Sequence, residues 1–528
     1  NPIDAVKLNR LATGERLSPL EVLSRSVSSS NFSNPEAITK LKNNFTSWME
    51  KTNNESALDA FLGIVGESGF QEYLLGKKES LEKIDKLAKL YDEVKSFLTS
   101  HKDAKLKDFV ASIDTLIRHG NPISFSRRSL GAKGVAVMTA HKSKGLEWRA
   151  VYIPYVADRM WGNRRAIGGF NLPNGLNSSD EDERSEDERR LFYVALTRAK
   201  EKVVLSYSST DSNGKDVLVS RFVEELPAES VAKEDGSHFD PKDRLSRALS
   251  EREDTSRTIW DREYLKELFL DQGLNATALN NYLACPWKYF FKNLVRLPDI
   301  PESYLLFGNA VHSALKSLTD AKRNEKKFLE KDFLSVFEKS LAKQPISKTD
   351  FSATLKKGKK ILPLYYKKYE SVWVKNALTE YSIGGGSISL PSGESILLRG
   401  RLDKIEFISE SEVNVVDYKT GKRKTRNEIL GETKNSNGDI KRQIDFYRLL
   451  LELHDGGKYN MVSAEIDFIE PDEKNRFFRE HFEVGSDDAL RVKEEVLKVA
   501  QEIISFSFWE KTCNDSDCEF CRLKNILL

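Results

Sequence analysis

Sulfur is scarce in this 528-residue chain, which has four cysteines and four methionines. In a reducing compartment structural disulfides are disfavoured, so the few cysteines are read first as possible metal ligands. No apolar run approaches the roughly 18 residues of a membrane-spanning helix, so no membrane association is expected. Glycine (29) and proline (15) are few, while 31% of residues are charged and 39% hydrophobic. That profile excludes fibrous and disordered classes and fits a helix-rich globular protein. Charge of one sign is also lacking: 83 Lys and Arg against 81 Asp and Glu leave +2. A nucleic-acid surface would need local clusters such as KRKTR at 422–426. The opening NPIDAVKLNRLATGER has neither a secretory pattern nor a lipidation signal, so a cytoplasmic setting is expected.

The length predicts several domains. Residues 1–130 read as helices, with apolar residues at helical spacing in ALDAFLGIVGESGF and LAKLYDEVKSFLTS. At 131–228 the pattern becomes α/β: VAVMTA and AVYIPYV read as buried strands, and SEDERRLFYVALTRAKE as a helix leading into the strand KVVLSYS. Residues 229–274 read as a charged linker. From 275 to 528, helices enclose a β-rich centre, SILLRGRLDKIEFI and EVNVVDYKTG.

VAVMTAHKSKGLEWRAVYIP and ERRLFYVALTRAKEKVVLSYS resemble motifs V and VI of the superfamily 1 UvrD-like helicases. The resemblance implies that residues 131–228 are the C-terminal part of a RecA-like domain 2A, and that 1–130 are a remnant of the helical 2B insertion. It further implies nucleotide contacts from Gly145, Glu147 and Arg198 and DNA contacts from Thr139 and His141. Arg198, read as lying on a helix, matches the arginine finger that stabilises γ-phosphate charge; the plainer alternative is an ion pair with the acidic run before it. A G-x-x-x-x-G-K-[ST] phosphate loop is absent; GKKES and TGKRKT lack its first glycine and its setting. ATP hydrolysis is therefore expected only in a longer protein or with a partner subunit supplying the other motor half.

Asp403 lies in GRLD, and Asp417 and Lys419 in VVDYKTG. Alternation along a strand points Asp417 and Lys419 to one side. Two carboxylates can hold divalent cations on a phosphate, and a lysine can orient the attacking water. With His312 four residues after Gly308, and Gln443 one helical turn before Tyr447, the segment from 275 resembles RecB-family PD-(D/E)XK nucleases. That fold is a mixed sheet flanked by helices. The resemblance implies Mg²⁺ or Mn²⁺ held by His312, Asp403 and Asp417, with Lys419, Gln443 and Tyr447 completing the site. Plainer readings are a salt bridge of the carboxylates to Arg401 or Lys419, and for Gln443 and Tyr447 a polar edge on a core helix.

Cys285 precedes this segment's centre, while Cys513, Cys518 and Cys521 follow it as C-x4-C-x2-C. One early and three late cysteines resemble iron-staple nucleases, implying a 4Fe-4S cluster. The spacing departs from the common arrangement, in which C-x2-C comes before the longer gap. A structural Zn²⁺ or no metal are the alternatives. Trp287, Tyr289, Phe290 and Phe291 are read as core. The combined expectation is a multidomain α/β helicase-nuclease acting on single-stranded DNA or a duplex end in repair. Rival readings are an inactive DNA-binding module and a motor with a structural C-terminal domain.

Overall fold

The computed structural model describes residues 2–24, 32–121, 123, 135–158, 160–162, 181–211, 213–234, 258–298 and 303–527. Two compact units emerge: Asn1–Gly131 together with Thr255–Leu528, and Ala132–Asp254. Most of the charged linker, 235–257, lies outside the described residues.

In the smaller unit, β1 (Trp148–Ile153) pairs in parallel with β2 (Ala199–Leu205). Parallel strands need a crossover, and part of it is the helix Glu181–Leu196. That helix buries Phe192 and Ala195 against Ile153, Val156 and Phe222. Two expectations shift here. Val135–Met138 form no strand, and Val135 and Val137 are about nine-tenths exposed; β1 and β2 alone pair into a sheet among the described residues of this unit, so no neighbour supplies a ladder. Arg198 lies two residues past the helix end, in the turn into β2.

The larger unit is built on five strands in the order β3 (Ala377–Ser389), β4 (Ser395–Phe407), β5 (Glu412–Lys419), β6 (Asn460–Phe468), β7 (Phe478–Glu483). All neighbours are antiparallel except β5 and β6, giving the expected mixed sheet. Central β5 buries Val413, Val415, Val416 and Tyr418, the near-continuous apolar run of a strand covered on both faces. One face is covered by α1 (Ser303–Arg323), α2 (Glu330–Ala342) and α3 (Lys348–Tyr369), which share a core with Val416 and Tyr418. On the other lies α4 (Asp439–Leu453). Glycine lets it come close: a Cβ on Gly400 would sit 2.4 Å from Leu450 Cδ1.

The described residues of 1–121 are helices and the turns between them, and they belong to the same compact unit as the β-rich domain. Leu74, Leu75, Leu81, Ile84 and Leu87 join the core containing Ile259, Leu265 and Trp287. Buried Ser80 Oγ accepts from Ile259 N at 2.9 Å. Apolar faces that the sequence assigned to a separate domain are thus satisfied here.

Gly273 ends the helix Arg262–Gln272 at φ +67. An added Cβ would meet Leu397 O at 2.1 Å, while Leu274 N donates to that same carbonyl at 2.8 Å. Left-handed strain plus overpacking against backbone should cost Gly273→Ala about 2–4 kcal/mol. Urea denaturation of the variant is expected to show a lowered midpoint.

Candidate active site

Alternation along β5 sends Asp417 and Lys419 to the α4 side and Tyr418 to the other. Lys419 Nζ lies 2.7 Å from Asp417 Oδ2 and donates to Gln443 Oε1 at 2.8 Å. Gln443 Nε2 donates to Asp417 Oδ1 at 3.1 Å, and Tyr447 Oη donates to the same oxygen at 3.2 Å. The one-turn spacing of Gln443 and Tyr447 therefore serves the carboxylate, beyond a mere polar edge. On β4, Asp403 Oδ2 accepts from Tyr418 N at 3.0 Å. His312, on α1, brings Nδ1 to 3.3 Å from Asp403 Oδ1. Gly308 makes that approach possible, since a Cβ there would lie 3.0 Å from Thr420 Oγ1.

The sequence reading missed Glu380. Its Oε1 is 3.7 Å from His312 Nδ1 and its Oε2 is 2.8 Å from Arg401 Nε, so Arg401 serves Glu380. Donor atoms of His312, Glu380 and Asp403 lie within 4.8 Å of one another, an arrangement able to hold a metal ion. Asp417 is not in that tight group, its carboxylate being turned toward Lys419, Gln443 and Tyr447. Glu380 has φ +50, a strained conformation costing on the order of 1–3 kcal/mol that tends to occur at functional sites. Counted from the β3–β4 turn, where Ser389 pairs with Ser395, Glu380 would face Lys404. A bulge between Gly384 and Gly386 moves the register by one, so the flanking pairs become Thr379 with Lys404 and Tyr381 with Leu402. A one-residue slip changes the sheet face, and only Gly384–Gly386 in the sequence hints at it.

Electrostatics fit a cation. Burial pushes the Asp417 carboxyl up, Lys419 opposes this, and the Asp403 charge adds to it. Buried Asp417 Oδ2 takes no aligned hydrogen bond, although the Lys419 ammonium is beside it. Burial would lower His312, but Asp403 and Glu380 override it and raise the group to about 10. Imidazole plus carboxylates is a donor set able to hold a divalent cation.

All four cysteines converge. Cys285 Sγ is 3.7 Å from Cys521 and from Cys518, and Cys513 Sγ is 3.6 Å from Cys521. None is disulfide-bonded. Burial raises the Cys285 thiol; at Cys518 burial also pushes upward, but the backbone N–H of Cys521, the Cys513 thiol, the backbone N–H of Phe520 and the Cys285 thiol together outweigh it and lower the group, favouring the thiolate that binds metal. Trp287, Phe290 and Phe291 beside the centre are fully buried core.

In the smaller unit, the motif residues also meet. Arg198 donates to Val194 O (3.0 Å), Leu146 O (3.1 Å) and Thr197 Oγ1 (3.1 Å). Glu186 and Asp187 of the acidic run pair with Arg189 and Arg190. Thr139 caps the turn Ala140–Ser143 carrying His141, Gly145 turns at φ +85, and Glu147 pairs with Lys200 at 3.1 Å.

Residues 273–526 match the family model of the PD-(D/E)XK nuclease superfamily, and residues 27–210 match the UvrD-like helicase C-terminal domain. YjcD of Bacillus subtilis (strain 168), provisionally named an ATP-dependent DNA helicase, is 33% identical over 161 residues, 30% of this chain and 19% of its own. An ATP-dependent helicase/nuclease component from Bacillus mycoides (strain KBAB4) is 28% identical over 192 residues, 31% of this chain and 15% of its own. The chain thus spans less than a fifth of these relatives' length. A solved structure from Eubacterium rectale, provisionally titled an exonuclease, aligns over 50% of this chain and 90% of its own, at 13% identity and a TM-score of 0.30.

The raised His312 predicts a pH dependence. In metal-free buffer, protonated His312 contributes stability that is fully present below the unfolded value, about 6.5. That contribution is lost as pH rises through about 10. Thermal melts of the wild type in EDTA should fall across this window more steeply than those of His312→Gln.

Proposed function

Because the chain joins a UvrD-like helicase C-terminal domain to a PD-(D/E)XK nuclease domain, we propose that it is the nuclease-bearing part of a DNA repair helicase-nuclease hydrolysing phosphodiester bonds. The observation that carries this reading is the convergence of His312, Glu380 and Asp403 beside the linked set Asp417, Lys419, Gln443 and Tyr447. His312, Glu380, Asp403 and Asp417 would hold the divalent cation, which when bound neutralises phosphate charge and acidifies water. Lys419, fixed between Asp417 and Gln443, orients the attacking water. Gln443 and Tyr447 position Asp417. The intact Asp403, Asp417 and Lys419 weigh against an inactive DNA-gripping module.

Gly145, Glu147 and Arg198 are assigned to nucleotide and Thr139 and His141 to DNA within a longer motor. The lack of a phosphate loop in these 528 residues supports that reading. Arg198's fork, parked on backbone carbonyls, would turn to the nucleotide when the other motor half meets it. A cytoplasmic setting goes with DNA as substrate; among the described residues no helix is long and apolar enough to cross a membrane.

The cysteine centre is proposed to hold a structural metal. Three of the sulfur pairs are 3.6–3.7 Å apart and all four sulfurs lie within 4.8 Å of one another, close enough for one tetrahedral ion with bonds of about 2.3 Å. The 4Fe-4S cluster implied by the iron-staple resemblance would require the thiolates to part around a four-iron core. An absorption spectrum with metal analysis separates the two. A colourless protein with one zinc per chain marks a single tetrahedral ion, whereas a broad band at about 400 nm marks the iron-sulfur ligation that the family resemblance implies.

Asp417→Asn should abolish Mg²⁺-dependent cleavage while leaving DNA binding in EDTA near wild type. Retained cleavage in that variant, or wild-type cleavage in EDTA, would remove the nuclease assignment.

A further inference from the structure

The KRKTR cluster, the basic motif most visible in the sequence, is already engaged. Arg423 stacks on Phe478 at 3.7 Å and pairs with Glu480, while Arg426 stacks on Phe482 at 4.3 Å and donates to His481 O. A larger excess of positive charge lies elsewhere. Residues 303–372, the α1–α3 layer, contain 15 Lys and Arg against seven Asp and Glu, an excess of eight in a chain whose total excess is two.

This charge is concentrated at one end of the layer. Lys322, Arg323, Lys326, Lys327 and Lys331 cluster where α1 ends and α2 begins, and Lys368 comes from the end of α3. Tyr366 Oη, donating to Phe328 O at 2.7 Å, ties that end of α3 to the α1–α2 turn. Two of the acids there are matched by cations of their own: Asp320 pairs with Lys316 and Glu330 pairs with Lys367. Glu325, Asp332 and Glu370 are left to offset the six named cations, an excess of three positive charges. Those cations are exposed or half-exposed and form no ion pair with any described residue.

The same helix carries His312. Arg323 is 11 residues further on; at 1.5 Å rise that is about 16 Å, and at 100° per residue it falls on nearly the same face. The distance matches about five stacked nucleotides of one strand. We propose that this basic end binds the phosphates of the DNA strand being cut, a few nucleotides from the scissile bond. The proposal rests on the nuclease reading for its substrate. Its physical basis is a net excess of exposed cations at one end of the element that carries His312.

The test uses the full chain carrying K322E/R323E/K327E, exposed or half-exposed positions whose reversal leaves the core intact. Anisotropy with a labelled oligothymidylate of about 20 nucleotides, in EDTA, is expected to give affinity about tenfold weaker or worse. The log–log salt slope should shrink by about 2, as for three lost contacts at roughly 0.7 each. K458E/K493E/K498E, equal in charge change and lying elsewhere, should keep the wild-type slope. An unchanged slope in the first variant, or an equal loss in the second, overturns the proposal. Cleavage of p-nitrophenyl thymidine 5′-phosphate, too short to reach the patch, should proceed equally in wild type and K322E/R323E/K327E. Failure of the wild type to cleave it or any longer DNA would sink the nuclease reading while leaving the binding result interpretable.

Discussion

Asp403 and Asp417 place two carboxylates on adjacent strands with little access to water, Asp417 having 4% of its side chain exposed and Asp403 14%. Like charges so placed are costly unless compensated, and breaking a buried charge pair typically costs about 3–5 kcal/mol. Compensation comes from three directions: Lys419 on the same strand, His312 from α1, and Gln443 with Tyr447 from α4. Each covering layer is therefore bound to the sheet by charge as well as by apolar contact. The opposite face repeats the solution around Asp467, fully buried on β6, with Arg479 at 2.8 Å and Tyr365 Oη at 2.5 Å. With so much polar material inside, small register errors would strand charges, which explains why the glycines that set register and approach matter.

Close approach is the second constraint. Gly400 admits α4 and Gly308 brings α1 against Thr420, so the helices that carry Gln443, Tyr447 and His312 reach the carboxylates. Beyond the sheet, the cysteine lobe supports helices from the other end of the chain. The helix Phe70–Leu75 rests against Glu519–Leu527, which contains Cys521. At the far end of the helix Ser80–Ser100, the turn meets the α2–α3 connection, with Lys102 donating to Gln344 O and Asp103 pairing with Lys348. Residues within the helicase-model match are thereby fixed to the segment that matches the PD-(D/E)XK nuclease model.

Much of this was legible in the sequence because it depends on local periodicity. Asp417 and Lys419 two apart on a strand, and Gln443 and Tyr447 four apart on a helix, each dictate a shared face. The four cysteines were legible by type alone. Glu380 was not, because its position depends on a hairpin register shifted by one at Gly384–Gly386. Arg198 was placed on the helix though the helix stops at Leu196, an uncertainty of one or two residues inherent in reading helix ends. Val135–Met138 looked like a strand by composition, but β structure needs a neighbour that composition does not supply. The basic end of α1–α3 escaped notice since its cations are dispersed over three helices and become one surface only after folding.

The cysteine centre also orders events in time. Every strand of the nuclease sheet lies between Cys285 and Cys513, and Cys285 meets Cys521 across 236 positions. At a synthesis rate of about 5–20 residues per second, Cys521 is added roughly 12 to 47 seconds after Cys285. Asp403 and Asp417 are made before the four cysteines can meet, so premature termination after Tyr447 and before Cys513 yields a chain with the candidate site and no complete cysteine centre. The newly made domain would thus stay loosely assembled until Cys521 has been added, after every residue of the candidate site.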